Sequence, residues 1–370
     1  MISNRAALIA VAAAFSFGLV ASLAIRPPSH GVGNAEVGQA SSNKIRRVDW
    51  RVALAFPTSM PGLGDNPLYI RDTLEAASDG TLRLNLFDPG EIVPAFSITD
   101  AVRDGKIAAG YTWLGYDQGK TPASALLAAV PFGMEPVEFA AWWFEGGGRA
   151  LGEELYSQYN AKPIFCGIIG PETAGWFREK ISSLDDLKGM KIRFAGIGGK
   201  VLERLGASVT MIPGGEIYQA LEKGAIDASE FSLPVVDQSL GFNRIAKFNY
   251  FPGWHQPATS SHLLINLDVW RGLSTSDQAL IEAVCTAGVT RNLAKTESQQ
   301  GAVIEAFPEV GVSAEKLPEA VLRALQGVTA EVLEEEAEGN PIFKEILDSQ
   351  RAFRHEYAAW SKRAYLPRNF

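Results

Sequence analysis

The chain reads as an α/β protein of two similar lobes with a ligand cleft between them, and three observations lead there. The segment Ala101-Val-Arg-Asp-Gly105-Lys-Ile-Ala-Ala109 returns 119 positions later (220 − 101) as Ala220-Leu-Glu-Lys-Gly224-Ala-Ile-Asp-Ala228. In both copies an apolar-periodic helical turn stops at a glycine, which can adopt the left-handed conformation at a helix C-terminus, and a strand follows at once. Each half also alternates strand-like runs with helical patterns, the signature of a parallel sheet. Finally, 370 residues exceed what one core usually organises and suit two lobes of roughly 120 to 150 residues plus extra helices. Small-molecule sites favour domain interfaces and the carboxyl ends of strands in open sheets.

The elements follow in order. Arg5 precedes an apolar run, Ala6 to Ile25, with small residues at Ser22 and Ala24, and then Arg26-Pro27-Pro28. Residues 1–25 read as a secretory signal peptide, with an uncleaved anchor helix as the rival, and 26–43 as a flexible linker. Lobe 1 is expected over 44–160. Its strands are Trp50 to Phe56, Thr81 to Phe87 and Ile107 to Trp113, alternating with helices Pro67 to Ala77 and Ile98 to Asp104. Glu138 to Tyr159 reads as a long helix containing Gly146-Gly147-Gly148, where a kink or close approach is expected at about 1 kcal/mol per glycine relative to alanine.

Lobe 2 is expected mainly over 161–255. Ser183-Leu-Asp-Asp-Leu-Lys-Gly189 is a capped turn delivering the strand Met190 to Ala195. Helix Gly198 to Leu205, strand Ser208 to Ile212, helix Glu216 to Lys223 and strand Ile226 to Phe231 complete a second β-α-β-α-β unit. Phe248 to Phe251 and His262 to Asn266 read as strands crossing between lobes. Residues 256–370 then supply mostly helices, over Ser276 to Phe307, Pro318 to Glu336 and Pro341 to Arg363.

A net charge of −8 without a Lys/Arg-rich stripe argues against a nucleic-acid partner. Cys166 and Cys285 read as two small buried hydrophobes or as one disulfide, since the leader implies an oxidising compartment. Glu334-Glu335-Glu336 reads as a solvated helix face. Nothing marks an enzyme: His255, His262 and His355 stand in no metal-binding spacing, and no Gly-x-Ser-x-Gly elbow occurs. The glycine-rich turn after Arg193 fails the phosphate-loop pattern, because Val201 stands where Ser or Thr should follow Lys200. What remains is a helix N-terminus opening just after an arginine.

Arg193 is therefore the expected anchor. It lies in an apolar strand near its carboxyl end, where a charge is costly unless paired. Its planar fork matches a carboxylate in bidentate fashion. A structural ion pair with a nearby acid is the competing reading. By the symmetry of the repeat, Tyr111 and Trp113 are placed across the cleft from Glu230 as ligand-contacting aromatics, or else belong to the lobe core.

At these residues the chain resembles a known family. Gly189-Met-Lys-Ile-Arg-Phe194, Gly175-Trp-Phe-Arg-Glu179, the run Pro213 to Phe231, Leu240-Gly-Phe242 and Phe251-Pro-Gly-Trp-His255 resemble the solute-binding receptors of tripartite ATP-independent periplasmic (TRAP) transporters. The resemblance spans about Trp50 to Asn340 and is nearest the branch that binds 2-oxo acids and related monocarboxylates. It implies a periplasmic binding protein-like fold with a long helix spanning both lobes, a periplasmic location, and delivery of a small carboxylate to TRAP permease membrane subunits. A homodimer through C-terminal helices is a further implication, and a dicarboxylate or sugar acid is the alternative ligand.

The same resemblance implies site residues. Arg193 matches the arginine that binds the substrate carboxylate, and Glu230 with the Phe231 carbonyl matches a Glu-Trp pair that ligates a bridging metal cation, sodium or calcium. Glu172 and Gln256 fall at two further cation-ligand positions, where relatives have Gln and Glu respectively. The exchange leaves the formal charge unchanged, and a hard cation accepts oxygens from carboxylates, amides and carbonyls alike.

Overall fold

The computed structural model describes residues 47–366; the expected leader and linker, residues 1–43, lie outside the described residues. In chain order the elements are β1 (Val48–Leu54), α1 (Asn66–Ala77), β2 (Leu82–Phe87), α2 (Ile98–Arg103), β3 (Ala109–Thr112), α3 (Pro136–Glu145), α4 (Gly148–Ser157), β4 (Ala161–Ile169) and β5 (Gly175–Phe177). They continue with β6 (Lys191–Arg193), α5 (Gly196–Arg204), β7 (Ser208–Thr210), α6 (Gly214–Glu222), β8 (Ala228–Ser229), α7 (Pro234–Ser239), β9 (Phe248–Phe251) and β10 (Thr259–Asn266). The chain ends in α8 (Leu267–Arg271), α9 (Thr275–Glu305), β11 (Ser313–Lys316), α10 (Glu319–Gly339) and α11 (Pro341–Ala364). No helix among the described residues is long and apolar enough to cross a membrane.

Two sheets form, in the orders β2-β1-β3-β10-β4 and β11-β9-β5-β8-β6-β7. The repeated units make a parallel three-strand block in each, β1 with β2 and β3, and β6 with β7 and β8, and the second sheet adds a parallel pair, β9 with β11. The returning strand β10 runs antiparallel to β3 and β4. Along β1, Val48, Trp50 and Val52 are buried while Asp49 and Arg51 are exposed, the period-2 pattern of a strand with one covered face. β4 and β10 are buried at every position, as expected for strands covered on both faces.

The two helix-glycine-strand copies turn in the same way. Gly105 and Gly224 adopt φ of 68° and 69°, in the left-handed region that glycine enters without a Cβ penalty. Lys106 N–H donates to the Ala101 carbonyl at 2.9 Å, and Ala225 N–H to the Ala220 carbonyl at 2.9 Å. These bonds satisfy carbonyls that the helix end leaves unpaired.

Two expectations are corrected. The long helix over 138–159 is two helices, because Gly147 at φ 89° turns the chain between α3 and α4. Close packing explains its neighbours: a Cβ on Gly146 would lie 2.6 Å from the Phe353 ring, and one on Gly148 2.8 Å from the Trp142 ring. The long helix that joins the two halves is α9, which reaches β4 of the first sheet and α7 beyond the second. Its Asn292 amide donates to the Ile168 carbonyl of β4 at 3.2 Å, and its Gln300 Oε1 accepts the Val235 N–H of α7 at 3.1 Å. Residues 161–169, expected in the second lobe, form β4 of the first sheet, because β10 returns to that sheet and pairs with β4 along its whole length. Of the two readings of the cysteines the disulfide holds, joining Cys166 of β4 to Cys285 of α9. The acidic run is also tied down, with Glu334 pairing Arg351, Glu335 pairing Arg204 and Glu336 pairing Lys200.

Candidate ligand and cation site

The strand ends converge on one cavity. Arg193 closes β6, and the parallel register sets it beside Ser229, the last residue of β8. Glu230 and Phe231 follow β8, Glu172 lies just beyond β4, Phe56 just beyond β1, and Trp113 and Tyr116 just beyond β3. β10 runs the other way, so its first residue, Thr259, reaches the same edge, as do His255 and Gln256 before it.

Arg193 and Glu230 are both buried and form an ion pair, Nη1 to Oε1 at 2.8 Å. Nη1 also donates to the Glu230 carbonyl at 3.0 Å, and Nε to the Ile212 carbonyl at 3.2 Å. The guanidinium lies 5.4 Å from the centroid of the Phe231 ring, within range of a cation–π contact. Oε1 of Glu230 accepts in addition the Ala195 N–H at the start of α5. Its other oxygen, Oε2, has no hydrogen-bond partner among the described residues.

Glu172 is held from the other side. Thr259 Oγ1 donates to its Oε1 at 2.9 Å. With the Gln256 amide assigned from the hydrogen-bond network, its nitrogen donates to Glu172 Oε1 at 3.0 Å, to Oε2 at 2.8 Å and to the Thr259 hydroxyl at 2.7 Å. His255 Nε2 sits 3.7 Å from Glu172 Oε2 and 3.8 Å from Glu230 Oε2, so atoms of Glu172, Glu230 and His255 all lie within 4.8 Å of one another.

The protonation equilibria follow from this crowding. Burial pushes the Glu172 carboxyl up to about 7, with His255 opposing and Glu230 adding to the rise. Burial acts on Glu230 in the same sense, but the Arg193 charge, His255 and the Ala195 N–H outweigh it and hold the carboxyl below the usual range. His255 is pulled down by burial and raised by Glu172 and Glu230, to a net value of about 8.

These strand ends line one small cavity. Arg193, Glu172, Glu230, Gln256 and Thr259 form its polar wall, and Phe56, Leu63, Trp113, Tyr116 and Phe231 its apolar one. The buried Trp113 indole N–H has no acceptor among the described residues. With Glu172 and Glu230 ionised, Arg193 and a protonated His255 only balance them, so a carboxylate ligand alone would leave the site negative. The Glu172 and Glu230 oxygens, one of them unpartnered, suit a hard cation.

The profile of the DctP family, bacterial extracellular solute-binding proteins of family 7, matches residues 63–340. Over 321 residues the chain is 35% identical to a monocarboxylate 2-oxoacid-binding periplasmic protein of Nostoc sp., covering 86% of this chain and 87% of that one. Its fold matches a TRAP transporter solute-binding protein of Bordetella bronchiseptica, holding calcium and picolinate, with a TM-score of 0.84, 32% identity and coverage of 86% of this chain and 95% of that one. The chain belongs to the TRAP solute-binding receptors. A TRAP periplasmic solute-binding protein of Pseudoalteromonas atlantica with bound sodium and pyruvate is comparable, at a TM-score of 0.83, 31% identity and coverage of 86% and 97%.

Within this TRAP receptor the expected site residues fare unequally. Arg193, Glu230, Phe231, Glu172, Gln256 and Trp113 all line the cavity. Gln256, expected as a cation ligand, presents its amide nitrogen to Glu172 and so acts there as a hydrogen-bond donor. Tyr111 is a correction: it is buried in the apolar cluster on the other face of the first sheet, with its hydroxyl accepting the Asn66 amide at 2.9 Å. It is an interior residue of β3, flanked by Leu54 and Leu263, whereas Trp113 lies past the strand end and turns toward the cleft. His255, Phe56, Leu63, Tyr116 and Thr259 were not anticipated. The strand-end rule could have found Phe56 and Tyr116; His255 had no local signal.

Proposed function

We propose that this receptor works in the periplasm, where it binds a small 2-oxo or 2-hydroxy monocarboxylate of the size of pyruvate or lactate with a sodium or calcium ion. It then delivers the acid to the membrane subunits of a sodium-coupled TRAP permease. The observation that carries the reading is the meeting of Arg193 with two buried carboxylates at one small cavity. Arg193, oriented by Glu230 and the Ile212 carbonyl, takes the ligand carboxylate. Glu172, Glu230 and the Phe231 carbonyl hold the cation, which supplies positive charge to the carboxylate and its neighbouring oxygen. Trp113 offers its indole N–H to a ligand oxygen, and the apolar wall covers the short carbon tail. The Nostoc, Bordetella and Pseudoalteromonas relatives support this assignment through what they bind.

Ligand size makes the cation worthwhile. A six-heavy-atom acid has a ceiling of about −9 kcal/mol at roughly −1.5 kcal/mol per atom, and micromolar binding needs about −8.2 kcal/mol. A dicarboxylate or a sugar acid is the alternative ligand, and its second carboxylate or its hydroxyls would need polar partners beyond Arg193. The family is one of receptors, and binding without chemical change is the expected behaviour. A homodimer is the proposed assembly, in keeping with the dimeric Bordetella relative and with Trp360 and Leu366 lying 63% and 78% exposed near the C-terminus.

The test is calorimetric titration with pyruvate, lactate, a dicarboxylate and a sugar acid, together with mass spectrometry of the co-purified ligand. Saturable binding confined to the small monocarboxylates supports the reading. A dicarboxylate or sugar acid that binds more tightly than all of them removes it.

A further inference from the structure

Asp237 is a buried carboxylate that the ligand set does not use. It lies on α7, and each of its oxygens meets one N–H group. Oδ1 accepts the Ser232 backbone N–H at 3.0 Å, and Oδ2 accepts the Trp176 indole N–H at 2.8 Å. The Ser232 N–H and the Phe231 carbonyl belong to the same planar peptide unit, so fixing one fixes the direction of the other. Ser232 is tied a second time: its own carbonyl accepts the N–H of Thr173, the residue after Glu172, at 3.2 Å. One residue thus joins the segment bearing Glu230 and Phe231 to the segment bearing Glu172.

We infer that Asp237 is a positioning residue of the cation site, aiming the Phe231 carbonyl and setting its spacing from Glu172. The inference rests on the proposed reading of Glu172, Glu230 and the Phe231 carbonyl as the cation-holding set. A peptide whose N–H is held by an acid oxygen is polarised toward a more negative carbonyl oxygen, a better partner for a hard cation. Trp176 completes the device by anchoring Asp237 to β5. Asparagine cannot replace it, because it offers one oxygen to two N–H donors and turns an NH₂ group toward the other.

The experiment titrates metal-stripped protein with calcium alone and with sodium alone, followed by calorimetry and thermal shift, in wild type, Asp237→Asn and Trp176→Phe. Outer-shell partners of metal sites typically contribute 10- to 100-fold in affinity. Asp237→Asn is expected to need at least tenfold more cation for the same thermal shift, and Trp176→Phe a smaller increase. Hydrogen exchange of the Ser232 amide, measured without cation, is expected to be faster in Asp237→Asn. If Asp237→Asn does not fold, Trp176→Phe carries the test. A lower melting temperature with unchanged cation dependence and unchanged Ser232 exchange would mean a merely structural carboxylate and overturn the inference. A wild-type protein that ignores both cations overturns the underlying cation reading, and the inference with it.

Discussion

The two copies of the helix-glycine-strand unit share a grammar and differ in outcome. Up to the glycine they are near duplicates, with φ of 68° and 69° at Gly105 and Gly224. In the first copy β3 continues for four residues between β1 and β10, so Tyr111 is an interior strand residue facing the apolar core. In the second, β8 ends after two residues, and Glu230, the positional equivalent of Tyr111, leaves the sheet and turns to Arg193 and the cavity. A local pattern places a strand's beginning. Where the strand stops decides whether the equivalent side chain meets core or ligand.

Five predictions can break or sharpen that contrast. The largest effect belongs to the second copy: Arg193→Ala should weaken acid binding at least a hundredfold by calorimetry, and destabilise the protein by about 3–5 kcal/mol because Glu230 is left buried and unpaired. Retained affinity would reduce Arg193 to a structural partner of Glu230. On the first-copy side, Cys166→Ala with Cys285→Ala should lower unfolding stability by about 2–4 kcal/mol, without changing acid affinity. A change in affinity would tie that core to the cleft.

Next in size is the cation. Chelation followed by exhaustive dialysis should weaken acid binding at least tenfold, about 1.4 kcal/mol, and added calcium or sodium should restore it. Unchanged affinity in metal-free buffer would leave Glu230 and Glu172 without their proposed role.

The first sheet also carries a pH dependence. His262 is buried against Trp143 and Phe165, its two nitrogens have no hydrogen-bond partner among the described residues, and burial pulls it down to about 3 from its ordinary 6.5. The unfolded chain takes up this proton below the ordinary value while the folded protein does not. Stability is therefore fully present above pH 6.5 and falls toward pH 3, by up to about 1.4 kcal/mol per unit. Denaturant melts across that window should show a shallower fall in His262→Leu; equal slopes would refute the assignment. The smallest effect is Tyr111→Phe, which strips the Asn66 amide of one acceptor, should cost about 1 kcal/mol of stability and should leave acid affinity within about twofold. A larger loss of affinity would return Tyr111 to the cleft and restore the symmetry of the two copies.

Much of this was readable from the chain. The alternation of strands and helices, the glycine stops and the placement of an arginine at the end of an apolar strand depend on neighbours a few residues away, and local sterics and periodicity decide them. So did the broad position of the cavity, since Arg193, Glu230 and Trp113 all sit at strand ends. The resemblance to TRAP receptors added Glu172, Phe231 and Gln256, which no local spacing marks.

What the tertiary structure decided is everything that hangs on a partner far along the chain. β4 belongs to the first sheet because β10 pairs with it, and the same packing brings Cys166 to Cys285 on α9. Tyr111 is core because β1 and β10 flank it on both sides. His255, which stands in no metal-binding spacing, meets Glu172 and Glu230 only when three loops at the strand ends converge. Sequence periodicity reports which face of an element is apolar. It carries no record of which distant element will cover that face, and in this receptor that choice separates the core from the ligand site.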